Sequence, residues 1–120
     1  MNGTIEKRVA FIGLGKMGSI LLKALLANKI LSGKNVTATV RQKENADSLS
    51  RNLGISVTTD NPSAVSNADL IMICVKPNSV AEVMREIQTE LASDKVLISI
   101  AASVTTRYIE DLAGLEIPVI

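Results

Sequence analysis

Short apolar segments recur along the chain and alternate with longer segments whose apolar residues have helical spacing. The short segments predict strands over residues 8–12, 35–40, 55–58, 70–75 and 96–100, with the start of a sixth at 117–120. The longer segments predict helices over residues 17–31, 45–53, 61–67, 79–91 and 105–114. This alternation indicates one Rossmann-like, three-layer α/β domain over residues 1–120, with helices on both faces of a doubly wound parallel sheet. The expected strand order is 3-2-1-4-5-6.

Residues at the ends of these segments predict where the helices begin and end. Gly33 is expected to close the first helix as a left-handed cap. Asn45 and Asn61 are expected to be the N-caps of the second and third helices. Ser79 and Glu82 have the spacing of a capping box at the fourth. Because the first helix is apolar on nearly all sides, we expect it to be mostly buried.

The first strand leads directly into residues 13–18, Gly-Leu-Gly-Lys-Met-Gly, and these lead directly into the first helix. Between a strand and a helix, G-x-G-x-x-G is a dinucleotide-binding fingerprint. Gly13 permits the tight turn, Gly15 lets the backbone approach a pyrophosphate, and Gly18 lets the helix pack closely on its strand. The N–H groups and the dipole at the helix start favour an anion there. The alternative is a glycine-rich turn without a ligand.

The predicted topology places a ligand at the carboxyl ends of the first and fourth strands, where the strand order reverses. The loops expected at that edge are residues 13–18, 41–44, 74–77 and 101–103.

The end of the second strand bears on the choice of cofactor. A NAD-binding domain usually has an acid there, which accepts hydrogen bonds from the ribose 2′-OH. This chain has Arg41 instead, whose guanidinium can hold a 2′-phosphate by charge-assisted hydrogen bonds. We therefore predict NADP, with an ordinary exposed arginine as the alternative. The nearby acid, Glu44, is expected in the first turn of the second helix, where the dipole favours it.

The composition excludes several classes of function. The formal net charge is only +1, with lysine and arginine spread along the chain, which does not suggest a nucleic-acid-binding face. The absence of histidine and the single cysteine, Cys74, argue against a structural metal site and rule out an internal disulfide. No apolar segment is long enough to span a bilayer. These features favour a cytoplasmic protein.

Two later segments separate this chain from other proteins that have the same glycine loop. Residues 69–77 form an apolar strand that ends in Val75-Lys76-Pro77, and residues 97–102 read Leu-Ile-Ser-Ile-Ala-Ala. With residues 11–18 and 117–120, these segments resemble the pyrroline-5-carboxylate reductase family. The resemblance implies hydride transfer from NADPH to the C=N bond of 1-pyrroline-5-carboxylate, giving L-proline in proline biosynthesis.

The resemblance also implies which residues bind NADP. Residues 12–17 would hold the pyrophosphate, Arg41 the adenosine phosphate, and Asn61 the adenosine side. Residues 74–77 would approach the nicotinamide-side ribose, and 100–102 would line the nicotinamide end. No residue is assigned a catalytic role. The implied set is Ile12, Gly13, Leu14, Gly15, Lys16, Met17, Gly18, Arg41, Asn61, Cys74, Val75, Lys76, Pro77, Ile100, Ala101 and Ala102.

The chain departs from the family pattern in two places. Ser103 stands where the family usually has glycine after the paired alanines. The family also continues beyond residues 118–120 with an arginine, a Met-Pro-Asn turn and a helical domain that forms the dimer and the substrate pocket. We therefore expect this chain to be the cofactor half of a homo-oligomeric enzyme and inactive on its own.

Three other functions remain open at this point. The chain could be the NADP-binding domain of a β-hydroxyacid dehydrogenase, that of a deazaflavin-dependent NADP reductase, or a non-catalytic nucleotide-binding module. The fold alone cannot choose among them.

Overall fold

Five parallel strands form one sheet in the order β3-β2-β1-β4-β5. The computed structural model describes residues 6–100, 106–114 and 117–120. The strands are β1 (Val9–Ile12), β2 (Val36–Thr39), β3 (Ser56–Thr58), β4 (Leu70–Ile73) and β5 (Val96–Ser99). Beyond β5, Val119 forms a parallel bridge with Leu97, and the Ser99 N–H donates to the Ile120 carbonyl oxygen. The predicted order of the first five strands is confirmed, and residues 117–120 lie where a sixth strand is expected.

Helices cover both faces of this sheet. They are α1 (Lys16–Ala27), α2 (Lys43–Leu53), α3 (Asn61–Ser66), α4 (Val80–Ile87) and α5 (Thr106–Ala113). Because side chains alternate along a strand, Val9 and Phe11 pack with residues of α1 and α2, whereas Ala10 and Ile12 pack with residues of α3, α4 and α5. Two apolar clusters therefore lie on opposite faces of the sheet, and the predicted three-layer Rossmann-like fold is confirmed.

Helix α1 ends four residues earlier than predicted. The Asn28 side chain donates to the Ala24 carbonyl oxygen at 2.8 Å, and Lys29 then takes a left-handed backbone conformation with φ of 58°. This turn directs Leu31 back into the core on the α1 face of the sheet. The prediction that Gly33 is a left-handed cap is wrong, because Gly33 begins a short 3-10 turn after the reversal has already been made.

Helix α1 is also more exposed than predicted. Only Gly18 and Leu22 are buried within it, while Met17 is 71% exposed and Ile20 is 65% exposed. The helix contacts the sheet along one narrow side, so its outer apolar side chains remain at the surface of the described part of the chain.

Two helices have N-caps that precede the predicted residues, by three positions in α2 and by one in α3. Helix α2 begins at Lys43 with Gln42 as its N-cap, so Asn45 lies inside the helix. In α3 the cap is Asp60, whose Oδ1 accepts from the Ser63 N–H at 3.1 Å. Asn61 is therefore the first residue of α3. A carboxylate one residue earlier caps the same turn and leaves the following proline where its missing N–H costs nothing.

The capping box predicted at α4 does not form. Ser79 precedes the helix, but its backbone (φ −101°, ψ −6°) is not extended and its side chain makes no capping hydrogen bond. The 3-10 turn Pro77–Ser79 leads into the helix instead. The predicted apolar face of this segment is confirmed, since every member is buried: Val80, Val83, Met84, Ile87 and Leu91.

Candidate functional site

A cleft of about 790 Å³ opens at the carboxyl ends of β1, β2 and β4. The strand order reverses between β1 and β4, so the cleft lies at the edge where the topology places a ligand. Its lining residues are Gly13, Leu14, Gly15, Val40, Arg41, Gln42, Asn45, Ser48, Leu49, Cys74, Val75, Lys76, Asn78 and Ser79. None of these residues carries a carboxylate and two are cations, which gives the cleft a positive bias.

The glycine loop is fixed between β2 and the loop that follows β4. Gly13 has φ of +75°, and a Cβ built there would collide with Cγ1 of Val75. Its N–H donates to Oγ1 of Thr39 at 2.8 Å. The next N–H, of Leu14, donates to the Thr39 carbonyl oxygen, also at 2.8 Å. Gly13 is therefore required both by its backbone conformation and by the lack of space for a side chain.

Thr39 is a residue that sequence reasoning missed. It is buried, and it is the one buried polar side chain among residues the structure describes. The strand register pairs Phe11 with Ala38, so Thr39 lies level with the end of β1, directly beside the glycine loop. A hydroxyl at that register position is the signal that could have identified it.

The start of α1 supplies the remaining donors of the loop. Gly15 is the N-cap, and the N–H groups of the first helical turn have no acceptor within the helix. Since the N–H groups of Gly13 and Leu14 already donate to Thr39, the donors available for an anion are those from Gly15 onward. The first turn of α1 contains no acidic residue, and Lys16 is its first residue.

The space above Gly15 suits a bulky anion. A Cβ built on Gly15 would have no atom within 4 Å, so it would extend into the open cleft. A side chain at this position would occupy the volume next to the free N–H groups. The loop therefore has the donors and the room that the pyrophosphate of a dinucleotide requires.

Gly18 allows α1 to pack closely against the end of β4. A Cβ at this position would lie 3.1 Å from Cβ and 3.3 Å from Sγ of Cys74, closer than ordinary van der Waals contact. Burial raises the pKa of the Cys74 thiol to about 12. The thiol therefore stays protonated near neutral pH and acts as an apolar packing group at the inner end of the cleft.

Arg41 connects the two sides of the cleft. It follows β2 at an exposed position, and its Nη2 donates to Oγ of Ser79 at 3.2 Å. Glu44 lies in the first turn of α2, as predicted, and does not line the cleft. The end of β2 therefore presents a cation without an acid beside it in the cleft.

The structure brings together some of the predicted cofactor residues and separates others. Those that line the cleft are Gly13, Leu14, Gly15, Arg41, Cys74, Val75 and Lys76. Those that adjoin its loops in sequence without lining it are Ile12, Lys16, Met17, Gly18 and Pro77. Ile100 follows β5, and its N–H donates to the Ile73 carbonyl oxygen at 3.1 Å. Ala101 and Ala102, with Ser103 and Thr105, lie outside the described residues.

Asn61 is not part of the cleft lining. As the first residue of α3, it donates through Nδ2 to Oε2 of Glu86 on α4, at 3.3 Å. This hydrogen bond links two neighbouring helices on the face of the sheet opposite to α1.

Several lining residues were not predicted from the sequence. Val40, Gln42, Asn78 and Ser79 flank predicted residues in the same loops. Asn45, Ser48 and Leu49 lie on one side of α2 at spacings of three and four residues, and that side faces the cleft. The helical spacing was the available signal for this second group.

The described residues contain no cluster of side chains that could hold a metal ion. Across the same residues, no helix has both the length and the apolar character needed to cross a membrane.

Comparisons with known proteins agree with this geometry. A family model described as NADP oxidoreductase, coenzyme F420-dependent, matches residues 8–103. A pyrroline-5-carboxylate reductase of Methanosarcina acetivorans is 35% identical over 106 residues, which make up 88% of this chain and 39% of that protein. The NADP-bound pyrroline carboxylate reductase structure of Plasmodium falciparum matches with 26% identity and a TM-score of 0.82, over 98% of this chain and 42% of that one. The pyrroline-5-carboxylate reductase structure of Coxiella burnetii matches with 28% identity and a TM-score of 0.88, over 96% and 43%.

These relatives are longer proteins, and the chain spans 39% to 43% of their length. The resemblance to pyrroline-5-carboxylate reductases, inferred from residues 69–77 and 97–102, is confirmed by these similarities. Because the family model covers most of the sequence, this chain belongs to the family of NADP oxidoreductases described as coenzyme F420-dependent.

Proposed function

We propose that this chain binds NADP(H) as the cofactor domain of a pyrroline-5-carboxylate reductase, an enzyme that reduces the C=N bond of 1-pyrroline-5-carboxylate to give L-proline. The observation that carries the proposal is a cleft whose described lining has no carboxylate and which combines the free N–H groups from Gly15 onward with the guanidinium of Arg41. When bound, NADPH supplies the hydride, while the protein supplies binding and orientation.

Each side of the cleft has a distinct task in this proposal. The N–H groups from Gly15 to Met17 hold the pyrophosphate, and Arg41 holds the 2′-phosphate. Val40 and Leu49 offer apolar surface next to Arg41, where an adenine ring can pack. Val75 and Lys76, on the opposite side, approach the nicotinamide-side ribose. Ala101 and Ala102 at the nicotinamide end, and Asn61 on the adenosine side, stay predictions.

The preference for a 2′-phosphate follows from charge. An acid at the end of β2 would accept hydrogen bonds from a ribose 2′-OH and would repel a phosphate in that place. None of the described residues that line the cleft is acidic, and Arg41 occupies the position of that acid. The cleft is therefore suited to NADP(H) rather than to NAD(H).

We also propose that this chain alone does not reduce the imine. Among the cleft residues that the structure describes, Cys74 is too weak an acid to donate a proton effectively, because its pKa is raised to about 12. Lys76 is exposed and can extend into solvent. Hydride transfer needs the imine carbon held close to the nicotinamide, and a displacement of about 1 Å can lower the rate roughly a hundredfold. We also propose that the whole enzyme is a homo-oligomer and that it is cytoplasmic. The free thiol of Cys74 is in line with the second of these properties.

A chimeric enzyme tests whether this chain can serve as the cofactor domain of such a reductase. The matched region of the Methanosarcina acetivorans reductase is replaced by this chain, and NADPH oxidation is followed with 1-pyrroline-5-carboxylate. We expect turnover by the chimera and none by the chain alone. The parental reductase serves as the positive control, and a chimera with Gly15→Val as the negative control. A folded chimera that binds NADPH but leaves the imine unreduced would contradict the proposed role as the cofactor domain of this reductase.

The family description favours a second candidate, a deazaflavin-dependent NADP reductase. The purified chain, without the donor reductase's substrate domain, is mixed with NADPH and an oxidised deazaflavin to test this alternative. Oxidation of NADPH by the deazaflavin here, and not by the imine in the chimera, would establish this alternative.

A further inference from the structure

The hydrogen bond between Arg41 and Ser79 joins two loops that are 38 residues apart in sequence. Arg41 follows β2 and Ser79 precedes α4, so the bond crosses the cleft between its two sides. Both residues line the cleft, and Ser79 is half-buried whereas Arg41 is exposed.

The Ser79 hydroxyl is available for this contact because it does not cap α4. A serine at an N-cap normally accepts a hydrogen bond from an N–H of the first helical turn. At Ser79 the backbone is not extended, because the 3-10 turn Pro77–Ser79 leads straight into the helix, and the side chain makes no such bond. Its oxygen accepts from Nη2 of Arg41 instead.

The contact restrains a side chain that would otherwise move freely. An exposed arginine has several rotatable bonds, and ordering such a side chain upon binding lowers affinity. Ser79 holds the guanidinium at the cleft before any ligand arrives. Only one of its five N–H donors is used by Ser79, so the others remain available to an anion.

We propose that Ser79 is a positioning residue, which holds the Arg41 guanidinium over the cleft and thereby increases the preference for NADPH over NADH. The inference rests on the proposed function, because it concerns the same cofactor. It assigns Ser79 no contact with the cofactor, and its effect passes through Arg41. NADH lacks the 2′-phosphate, so its affinity should depend much less on Ser79.

The test is a double-mutant cycle measured by titration calorimetry with NADPH and with NADH. Ser79→Ala should weaken NADPH binding by about two- to tenfold, the cost of ordering one long side chain, and leave NADH binding nearly unchanged. Ser79→Thr keeps the hydroxyl and should retain the selectivity. Ser66→Ala is the matched control, because the Ser66 hydroxyl donates within α3, away from the cleft lining.

The Arg41→Ala background shows whether Ser79 acts through Arg41. In that background, Ser79→Ala should have no further effect on NADPH affinity. If Ser79 only supported α4, Ser79→Ala would lower NADPH affinity in both backgrounds.

Three outcomes would count against the inference. If the wild-type chain prefers NADPH over NADH and Ser79→Ala keeps that preference, the inference is overturned and the proposed function stays intact. Tighter NADPH binding by Ser79→Ala would show that the contact obstructs the cleft, and would overturn it as well. Equal wild-type affinities for NADPH and NADH would overturn both this inference and the proposed cofactor.

Discussion

Thr39 shows how one side chain can determine the shape of a backbone loop. Its hydroxyl and its carbonyl oxygen accept the N–H groups of Gly13 and Leu14, both at 2.8 Å. These two bonds direct the unpaired N–H groups of the following residues toward the cleft. The Gly13 N–H is part-buried, so losing its acceptor costs free energy to the extent that water cannot replace the lost bond.

Replacing Thr39 by valine tests this role. Thr39→Val keeps the shape of the side chain but leaves the Gly13 N–H without its acceptor, so we expect a loss of about 1–3 kcal/mol in the free energy of unfolding. Urea denaturation measures it. The control is Thr37→Val, two residues earlier on β2 and half-buried, which should change the free energy of unfolding very little. Equal effects at the two positions would show that the Thr39 hydroxyl has no special role.

A substitution at Gly15 is expected to weaken cofactor binding without affecting folding. A side chain at Gly15 meets no protein atom, and its φ of −103° suits any residue. Gly15→Val should therefore lower the affinity for NADPH and NADH together by at least about tenfold, with an unchanged melting temperature. Gly15→Ala should have a smaller effect of the same kind. Calorimetry with both cofactors measures it, and unaltered binding by a stable Gly15→Val chain would place the pyrophosphate elsewhere.

At the scale of elements, Lys95 closes the end of α3 from a distant part of the chain. Its Nζ donates to the carbonyl oxygens of Val65 at 3.1 Å, Ser66 at 3.4 Å and Ala68 at 2.6 Å. The Val65 carbonyl oxygen also accepts from the Ala68 N–H at 3.1 Å, so the Lys95 ammonium adds to the backbone contacts that end α3. A cation is favoured at a helix C-terminus. A six-residue helix gains much of its stability from such external contacts.

Lys95→Met removes this cap while keeping the length of the side chain. We expect a loss of about 1.5–3 kcal/mol in the free energy of unfolding, as for other hydrogen bonds to charged groups. Denaturation in urea provides the measurement, with the exposed Lys34→Met as the control. If both variants unfold at the same urea concentration, the three contacts of Lys95 contribute nothing measurable.

Asp69 joins the starts of β1 and β4. Its Oδ2 accepts from the Arg8 N–H at 3.0 Å, and this hydrogen bond, aided by the charge of the Arg8 side chain, lowers the pKa of the Asp69 carboxyl below its ordinary value of 3.8. The ionised form is therefore favoured in the folded chain. Its stabilising effect is complete well above pH 3.8 and is lost as the pH falls through the lowered pKa.

The pH dependence of unfolding tests this contact. The free energy of unfolding of the wild-type chain should fall as the pH drops below about 4, and Asp69→Asn should lose less stability over that range. At neutral pH, Asp69→Asn should be the less stable of the two. Asp47→Asn, an exposed substitution on α2, is the control. Identical pH profiles for the wild type and Asp69→Asn would contradict the assignment.

The sequence predicts elements better than it predicts their ends. Periodicity identified the apolar face of α4 because burial depends on the spacing of residues along one helix. The end of α1 depends on Asn28 bonding back to Ala24, and the use of the Ser79 hydroxyl depends on Arg41. Asn28 and Ala24 are only four residues apart, but hydrophobic spacing does not report a side chain that bonds back to the helix. Arg41 and Ser79 are 38 residues apart, so a local pattern such as a capping box cannot anticipate their contact.

For the whole molecule, topology explains where the cleft lies and why part of it was predictable. Parallel strands that reverse their order between β1 and β4 open a space at their carboxyl ends, which the alternation of elements was sufficient to predict. The glycine loop and Arg41 could be placed there from the motif and the strand ends. Thr39 and the cleft-facing side of α2 were missed, because placing them requires the strand register and the helix packing in addition to the local pattern.

The proposed preference for NADPH over NADH is tested most directly by comparing the affinities of the chain for the two cofactors. Calorimetric titration of the purified chain should show NADPH bound more tightly than NADH by roughly 1.5–3 kcal/mol, the value of a hydrogen bond to a charged partner, or about ten- to a hundredfold in Kd. Arg41→Ala should remove most of that difference and leave NADH affinity nearly unchanged. Equal affinities for the two cofactors in the unmodified chain, or a preference for NADPH that persists in Arg41→Ala, would contradict the account.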